Sequence, residues 1–331
     1  MKNPPASIAH LDFVAGIPTL DLSDFVSGSE QQRVQFVNDL GAVYREVGFA
    51  AISGHGIQQD VIDQMYQEAQ LFFALPSNVK MKHQHPEHNH QRGFVSFGTE
   101  HAKDSDAADL KEFWQVGQTH IPEGADMENY PPNAAVGERP HLSVQSDDLY
   151  KNLERVGQHM LRAIALHLNL DESYFASLVE GGNSILRLIH YPPITSEPLS
   201  SVRAGQHEDI NLITLLVGAS ASGLEVMDTA GEWTSVQATP DQLVVNVGDM
   251  LQRLTNQELK STTHRVVNPP KDQWGKPRFS MPFFCHPVPN MSLAALPQCV
   301  PAGEEPKEPA TTAGEYLEER LRQIGLIKDE G

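Results

Sequence analysis

The chain of 331 residues carries 43 acidic against 24 basic side chains, a formal net charge of −19, and is 40% hydrophobic and 20% charged. That composition belongs to a globular protein with ample material for a core, and the excess of carboxylates argues against a surface built to neutralise nucleic-acid phosphates. No apolar run approaches the ~20 residues that span a bilayer, and Met1-Lys-Asn-Pro-Pro5 lacks the apolar centre of a signal peptide, so a cytoplasmic protein is expected. The two cysteines, Cys285 and Cys299, cannot build a disulfide framework and read as small buried apolar residues.

Ile17 to Leu22 reads as a short strand with a turn around Asp21, Ser23 and Asp24. Val34, Val37, Leu40, Tyr44 and Val47 then recur at helical spacing, predicting an amphipathic helix over 30–47 that Gly48 ends. Phe49 to Ile52 follows as a strand, and Gly54-His55-Gly56 as a turn in which His55 is a turn residue rather than a ligand. A second helix over 58–75 buries Ile62, Met65, Ala69, Phe72 and Phe73 before Pro76 stops it. His83, His85, His88 and His90 fall in a polar segment without strand or helix pattern, and read as a solvated loop with at most adventitious metal affinity.

The segments Arg92–Gly98 and Lys111–Gln115, with Glu100 between them, mix aromatics and charge in a way that suits a pocket wall or ordinary packing. Pro122 to Pro140 reads as an irregular connection. A long helix follows, with Leu149, Leu153, Val156, Met160, Ala163 and Ile164 on one face, the expected support for a sheet. Asp171 is expected to cap a short helix ending at Gly181-Gly182.

From Ser184 the texture changes to short β-rich runs at 185–191, 212–217, 224–227, 233–237, 243–247, 262–267 and 279–285, with Asp228-Thr-Ala-Gly231 closing a hairpin. Such runs, separated by turns, predict a sandwich or jelly roll. Asp249 to Leu254 reads as a small helix. Thr312-x-x-Glu315 is a capping box opening a last helix with Tyr316, Leu317, Leu321, Ile324 and Leu326, available to cover the barrel or a partner.

Chemistry concentrates in this half. In extended chain His207 and Asp209 of Gly205-Gln-His-Glu-Asp-Ile210 point to one side, and His264 arrives on Ser261-Thr-Thr-His-Arg-Val-Val-Asn268. Two imidazoles and one carboxylate with positions left open make the facial triad of non-haem Fe(II) oxygenases. Arg278-Phe-Ser280 adds a guanidinium fork beside a hydroxyl, a receptor for a carboxylate. Each piece alone is commonplace, and His207 by itself would pass for a surface or hydrogen-bonded core histidine. Their order and spacing together carry the reading.

The chain resembles the isopenicillin N synthase-like branch of the Fe(II)/2-oxoglutarate-dependent dioxygenases: H-x-D, then Thr263-His264-Arg265-Val266, then R-x-S match in order. Leu186-Arg-Leu-Ile-His-Tyr-Pro-Pro193 is similar to the family's R-x-N-Y-Y-P strand, with Ile189 and His190 departing from it. Segments 17–22, 47–57 and 109–113 resemble the family's N-terminal region. The resemblance implies a double-stranded β-helix (jelly-roll) core, supported by N-terminal helices and one long central helix. It further implies iron at His207, Asp209 and His264, 2-oxoglutarate held by Arg278, Ser280 and Tyr191, and O₂ as oxidant. The expected reaction oxidises a small organic substrate by hydroxylation, desaturation or ring closure, releasing succinate and CO₂. An Fe(II) oxidase of the same fold that uses no 2-oxoglutarate, and a cupin-like binding protein without turnover, remain as alternatives. Residues 1–180 are expected to form an α/β region that supplies supporting helices, a sheet edge and a pocket wall, 181–290 the oxygenase core, and 291–331 a helical extension. Substrate identity and oligomeric state are not encoded in any motif.

Overall fold

The structure is a computed structural model describing residues 8–14, 16–100, 109–119, 121, 130–198, 201–218, 222–228 and 230–323. Strands β1 (Phe13–Val14) and β2 (Ile17–Asp21) pair antiparallel, and the Asp21 carboxylate accepts from the Ser23 amide to start the short α1 (Leu22–Val26). Helix α2 (Glu30–Glu46) opens with a reciprocal capping box between Ser29 and Gln32. It ends at Gly48, whose φ is +76° and whose missing Cβ would lie 2.4 Å from both the Lys260 carbonyl and the Thr262 hydroxyl. Backbone and close approach both require glycine there. Then come β3 (Phe49–Ser53), α3 (Gln59–Phe73) and α4 (Ser77–Lys80).

The two aromatic segments fold as strands, β4 (Gly93–Val95) and β5 (Glu112–Gly117). Of the connection 122–140, residues 122–129 lie outside the described part. Helix α5 (Pro140–His167) buries all six residues of its expected face, and α6 (Ala176–Val179) follows. Asp171 does not cap α6: its carboxylate accepts from the Ser173 amide and hydroxyl in a local turn, and the helix begins only at Ala176.

Strands β6 (Ile185–Tyr191), β7 (Ala204–His207), β8 (Ile213–Val217), β9 (Leu224–Met227), β10 (Trp233–Ser235) and β11 (Leu243–Val247) lead to α7 (Asp249–Leu254), β12 (His264–Val266) and β13 (Arg278–Cys285). The Asp228–Gly231 turn joins β9 to β10, with Gly231 at φ +83°; Thr229 lies outside the described residues. The last described element is α8 (Ala313–Gln323); Ile324 and Leu326 lie outside the described residues.

Among the described residues the strands form a nine-stranded sheet, β1-β2-β3-β11-β8-β13-β6-β5-β4, facing a four-stranded one, β10-β9-β12-β7. Every pairing is antiparallel except β2 with β3. This is the jelly-roll core, with N-terminal strands added to both edges of its larger sheet.

Strand alternation decides the layering. On β13, Phe279, Met281, Phe283 and Cys285 enter the large core shared with the helices, while Arg278, Ser280, Pro282 and Phe284 line a cavity between the sheets. On β6, Leu186 and Leu188 face the helices, and Ile185, Arg187, Ile189 and Tyr191 face the cavity. Leu149, Leu153, Val156 and Met160 of α5 pack beneath, and a Cβ on Gly157 would lie only 3.6 Å from Leu215. Each fully buried Leu there contributes about 1.5–3 kcal/mol of transfer free energy.

Candidate active site

His207 and His264 are direct cross-strand partners on β7 and β12, so both side chains stand on the same face. Their ring centroids are 4.3 Å apart. Strand β7 ends at His207, and the chain bends just past it, yet Asp209 still reaches the pair: its Oδ1 lies 3.8 Å from His207 Nε2 and 3.6 Å from His264 Nε2.

The hydrogen bonds around these three atoms fix what they offer. His207 Nδ1 donates to the Gly205 carbonyl at 2.7 Å and His264 Nδ1 to the Thr262 carbonyl at 3.1 Å, and a carbonyl can only accept. In the neutral tautomer each Nε2 therefore carries a lone pair turned toward Asp209. The other carboxylate oxygen, Oδ2, accepts from Thr214 Oγ1 at 2.6 Å and Asn246 Nδ2 at 2.8 Å, and Asn211 in turn donates to Thr214. Phe49 stands edge-on to His264.

Protonation is biased the same way. Burial holds His207 down at about 4, with the neighbouring His264 adding to it and Asp209 opposing. Burial raises Asp209, but His264, His207 and the two hydrogen-bond donors outweigh it and hold the carboxyl below its usual range. His207 is the most open of the three, with 37% of its side chain exposed to the cavity. With both imidazoles in the tautomer these hydrogen bonds set, three acceptor atoms converge. That donor set fits a divalent cation held facially by two imidazoles and a carboxylate.

The cavity, of about 460 Å³, runs from these residues to Arg278 and Ser280 on the facing sheet. Arg278 pairs in register with Tyr191 and Ser280 with Ile189, so all four side chains point inward. The Arg278 guanidinium is 1% exposed and lies 4.9 Å from the Tyr191 ring centroid. A second buried guanidinium, Arg203, lies 5.9 Å from the same ring; burial, then Arg278, draws it down to about 10. Two buried guanidiniums this close favour an anion bound between them.

Other sequence expectations sort by geometry. Glu100, Lys111 and Gln115 reach the cavity, but the Arg92–Gly98 segment does not: Phe94 packs edge-on to Phe72, which also meets Trp114, and Arg92 donates to Pro131, Gln91 and Asn183. His55 is a satisfied turn residue, accepting from Ile57 and donating to the Asp241 carbonyl. Cys285 and Cys299 are both buried, and burial pushes the Cys285 thiol up to about 12.

The histidine tract is more ordered than a solvated loop. Single 3-10 turns at Met81–His83 and Pro86–His88 shape it, Asn89 and His90 hold positive φ, and Asn89 and Gln91 line the cavity. His85, Glu87 and His88 form a second, partly exposed group with metal-ligand spacing. Sequence reasoning does not single out Thr214, Asn246, Arg203, His286 or Arg320. For Thr214, Asn246 and His286 the available signal is a polar residue on the inward beat of an otherwise apolar strand.

A jelly roll that brings a candidate facial donor set opposite a buried pair of guanidiniums fits an oxygenase of the double-stranded β-helix class. Residues 17–137 match the family model for the non-haem dioxygenase in morphine synthesis N-terminal region, and 182–287 that of the 2OG-Fe(II) oxygenase superfamily. A proline hydroxylase, buaE of Petromyces alliaceus, is 35% identical over 321 residues, covering 93% of this chain and 99% of its own. The crystal structure of a 2OG-Fe(II) oxygenase family protein from Caulobacter crescentus is 40% identical with a TM-score of 0.83, covering 94% of this chain and 100% of that one. A full-length Neurospora crassa protein solved in complex with alpha-KG and thymine is 31% identical with a TM-score of 0.81, covering 92% of this chain and 96% of that one. The chain belongs to the 2-oxoglutarate–Fe(II) oxygenase superfamily. It is accordingly an oxidoreductase that uses Fe(II) and 2-oxoglutarate.

Proposed function

We propose that His207, Asp209 and His264 hold the iron, that Arg278 and Ser280 receive the far carboxylate of 2-oxoglutarate beside Tyr191, and that the enzyme hydroxylates a small organic molecule. The observation that carries this reading is the converging set of Nε2, Nε2 and Oδ1 atoms, each aimed by a hydrogen bond on its far side. Iron bound there would couple activation of O₂ to decarboxylation of 2-oxoglutarate, yielding succinate and CO₂. This chain's own part is orientation. The carbonyls of Gly205 and Thr262 hold both imidazoles in the ligating tautomer, Thr214 and Asn246 hold the carboxylate, and the two sheets form the walls of the cavity.

A small-molecule substrate is supported by the size of the cavity and by the proline and thymine named for two relatives. In the same reading residues 181–290 form the reaction core, 1–180 support it, and the 291–331 extension contributes α8, which closes one side of the cavity. Among the described residues no helix is long and apolar enough to cross a membrane. Anaerobic titration of 2-oxoglutarate into the Fe(II) protein tests the assignment: a metal-to-ligand charge-transfer band and later succinate release are expected. Absence of the band would favour an oxidase that does without the keto acid.

A further inference from the structure

The cavity has a second polar wall that metal and cosubstrate leave unused. Arg187, on the inward beat of β6, lies with its guanidinium 4.2 Å from the Phe113 ring centroid and 5.2 Å from that of Phe284. Its Nε donates to Gln115 Oε1 at 3.0 Å and its Nη1 to Glu100 at 3.1 Å. Its Nη2 makes no hydrogen bond among the described residues, and the side chain lines the cavity. Lys111 stands 3.7 Å from Glu100 and 2.7 Å from Asp109, so two cations and two carboxylates offset one another. Burial pushes Glu100 up, but Arg187 and Lys111 outweigh it and hold it at about 2, ionised at neutral pH.

His286 continues the inward row of β13 and also lines the cavity. It is 7% exposed, and its Nδ1 is buried without a hydrogen-bond partner. Burial keeps the imidazole neutral, at about 4. A buried polar atom left unpaired is costly, and such groups mark sites where a ligand completes the bonding. From the far side α8 presents Arg320, whose charge is met by Asp249 at 3.5 Å.

We infer that Arg187 and His286 form the substrate subsite, and that it takes an uncharged small molecule bearing a carbonyl or amide group in preference to a carboxylate. The inference rests on the oxygenase reading of the neighbouring residues. A carboxylate bound at Arg187 would sit beside ionised Glu100, an unpaired third anion in a site that excludes water. A carbonyl needs only the Nη2–H that Arg187 has spare, and neutral His286 can donate to or accept from an amide. Phe284 and Ile185 supply apolar faces for the rest of the molecule. At Arg278 the balance is opposite, since its near neighbour Arg203 is a second cation.

The test uses matched probes: 2-pyrrolidinone against 5-oxoproline, and thymine against uracil-5-carboxylate, each pair differing by one carboxylate. Binding is followed by saturation-transfer NMR on the metal-free full chain with saturating 2-oxoglutarate present, so that the Arg278 pocket is closed to the carboxylate probes. The neutral member of each pair should bind roughly tenfold or more tightly than its partner, because the site's polar groups reject what they cannot pair. Arg187→Met and His286→Phe should each weaken the neutral probes about as much, while the 2-oxoglutarate charge-transfer band of the Fe(II) form stays in place. Glu100→Gln uncovers the charge on Arg187 and should narrow or invert the preference.

Equal or tighter binding of the carboxylates to the wild type, no binding of either neutral probe, or unchanged affinity in the variants would each overturn the inference. If Arg187→Met does not fold, His286→Phe and Glu100→Gln carry the same decision. A wild type without the charge-transfer band overturns the cosubstrate reading instead, and the metal-free comparison keeps that failure separate.

Discussion

Asp209 illustrates how a single residue can be legible while its support is not. The H-x-D spacing makes the carboxylate a candidate ligand from sequence alone, but Thr214 and Asn246, which hold its Oδ2, come from β8 and β11 and acquire that role only when the sheet forms. Alanine at His207, Asp209 or His264 should abolish Fe(II) binding with the fold retained, as checked by chelator competition and circular dichroism; full affinity in any one variant removes that residue from the set. Asn246→Leu leaves all three in place but takes a donor from the carboxylate, and should cost roughly 10- to 100-fold in Fe(II) affinity. Arg278→Gln should weaken 2-oxoglutarate by about 2–5 kcal/mol, roughly 30-fold or more, without changing iron affinity. Arg278→Lys should fall between, since Lys keeps the charge and loses the planar fork. Ser280→Ala should cost about 0.5–1.5 kcal/mol in the same titration.

Elements with strong periodicity are readable, and short or polar ones are not. Helices α2, α3 and α5 and strands β6, β9 and β11 stand where the pattern places them. Strands β4, β5 and β7 are not legible as strands because they are short or polar, and pairing with a neighbour rather than propensity makes them extended. The capping box at Thr312 and Glu315 is likewise visible in sequence and formed in the structure, but what α8 covers is not written in it. Leu317, Arg320 and Leu321 close one side of the cavity, and Tyr316 fastens the helix by donating to Asp249 at 2.9 Å. The Asp249 amide in turn donates to the Asp209 carbonyl, so the latch is one residue away from the candidate metal centre. Tyr316→Phe removes one hydrogen bond with a net worth of about 0.5–1.5 kcal/mol. Amides of 313–323 should then exchange about 3- to 10-fold faster with deuterium while those of α5 do not change. Equal protection in both proteins would mean that packing of Leu317, and not the latch, holds the helix down.

At the scale of the whole molecule, buried titratable groups make the metal-free protein sensitive to pH in opposite senses. His207 and His286 are held by burial at about 4, below the ~6.5 of an unfolded histidine. Between those values the unfolded chain binds more protons, so stability is lost as pH falls from about 6.5 toward 4. Asp249 works the other way: burial raises it to about 7, against an ordinary value of 3.8. Its contribution is complete below the unfolded value and is lost as pH rises through 7. Asp249→Asn should therefore raise the urea midpoint at pH 8 relative to wild type, with the gain shrinking toward pH 4. His286→Phe should flatten the loss on the acid side without affecting the alkaline one. Fe(II) adds a third dependence, because it binds neutral imidazoles and competes with their protons. Saturating the iron at about 100 times its dissociation constant should add roughly 2.7 kcal/mol near pH 7. That increment should hold through pH 5, fall away as pH approaches 4, where His207 takes up its proton, and disappear on chelation. If the increment is instead unchanged well below pH 4, protons are not competing for the ligand atoms, and the metal is bound somewhere other than His207 and His264.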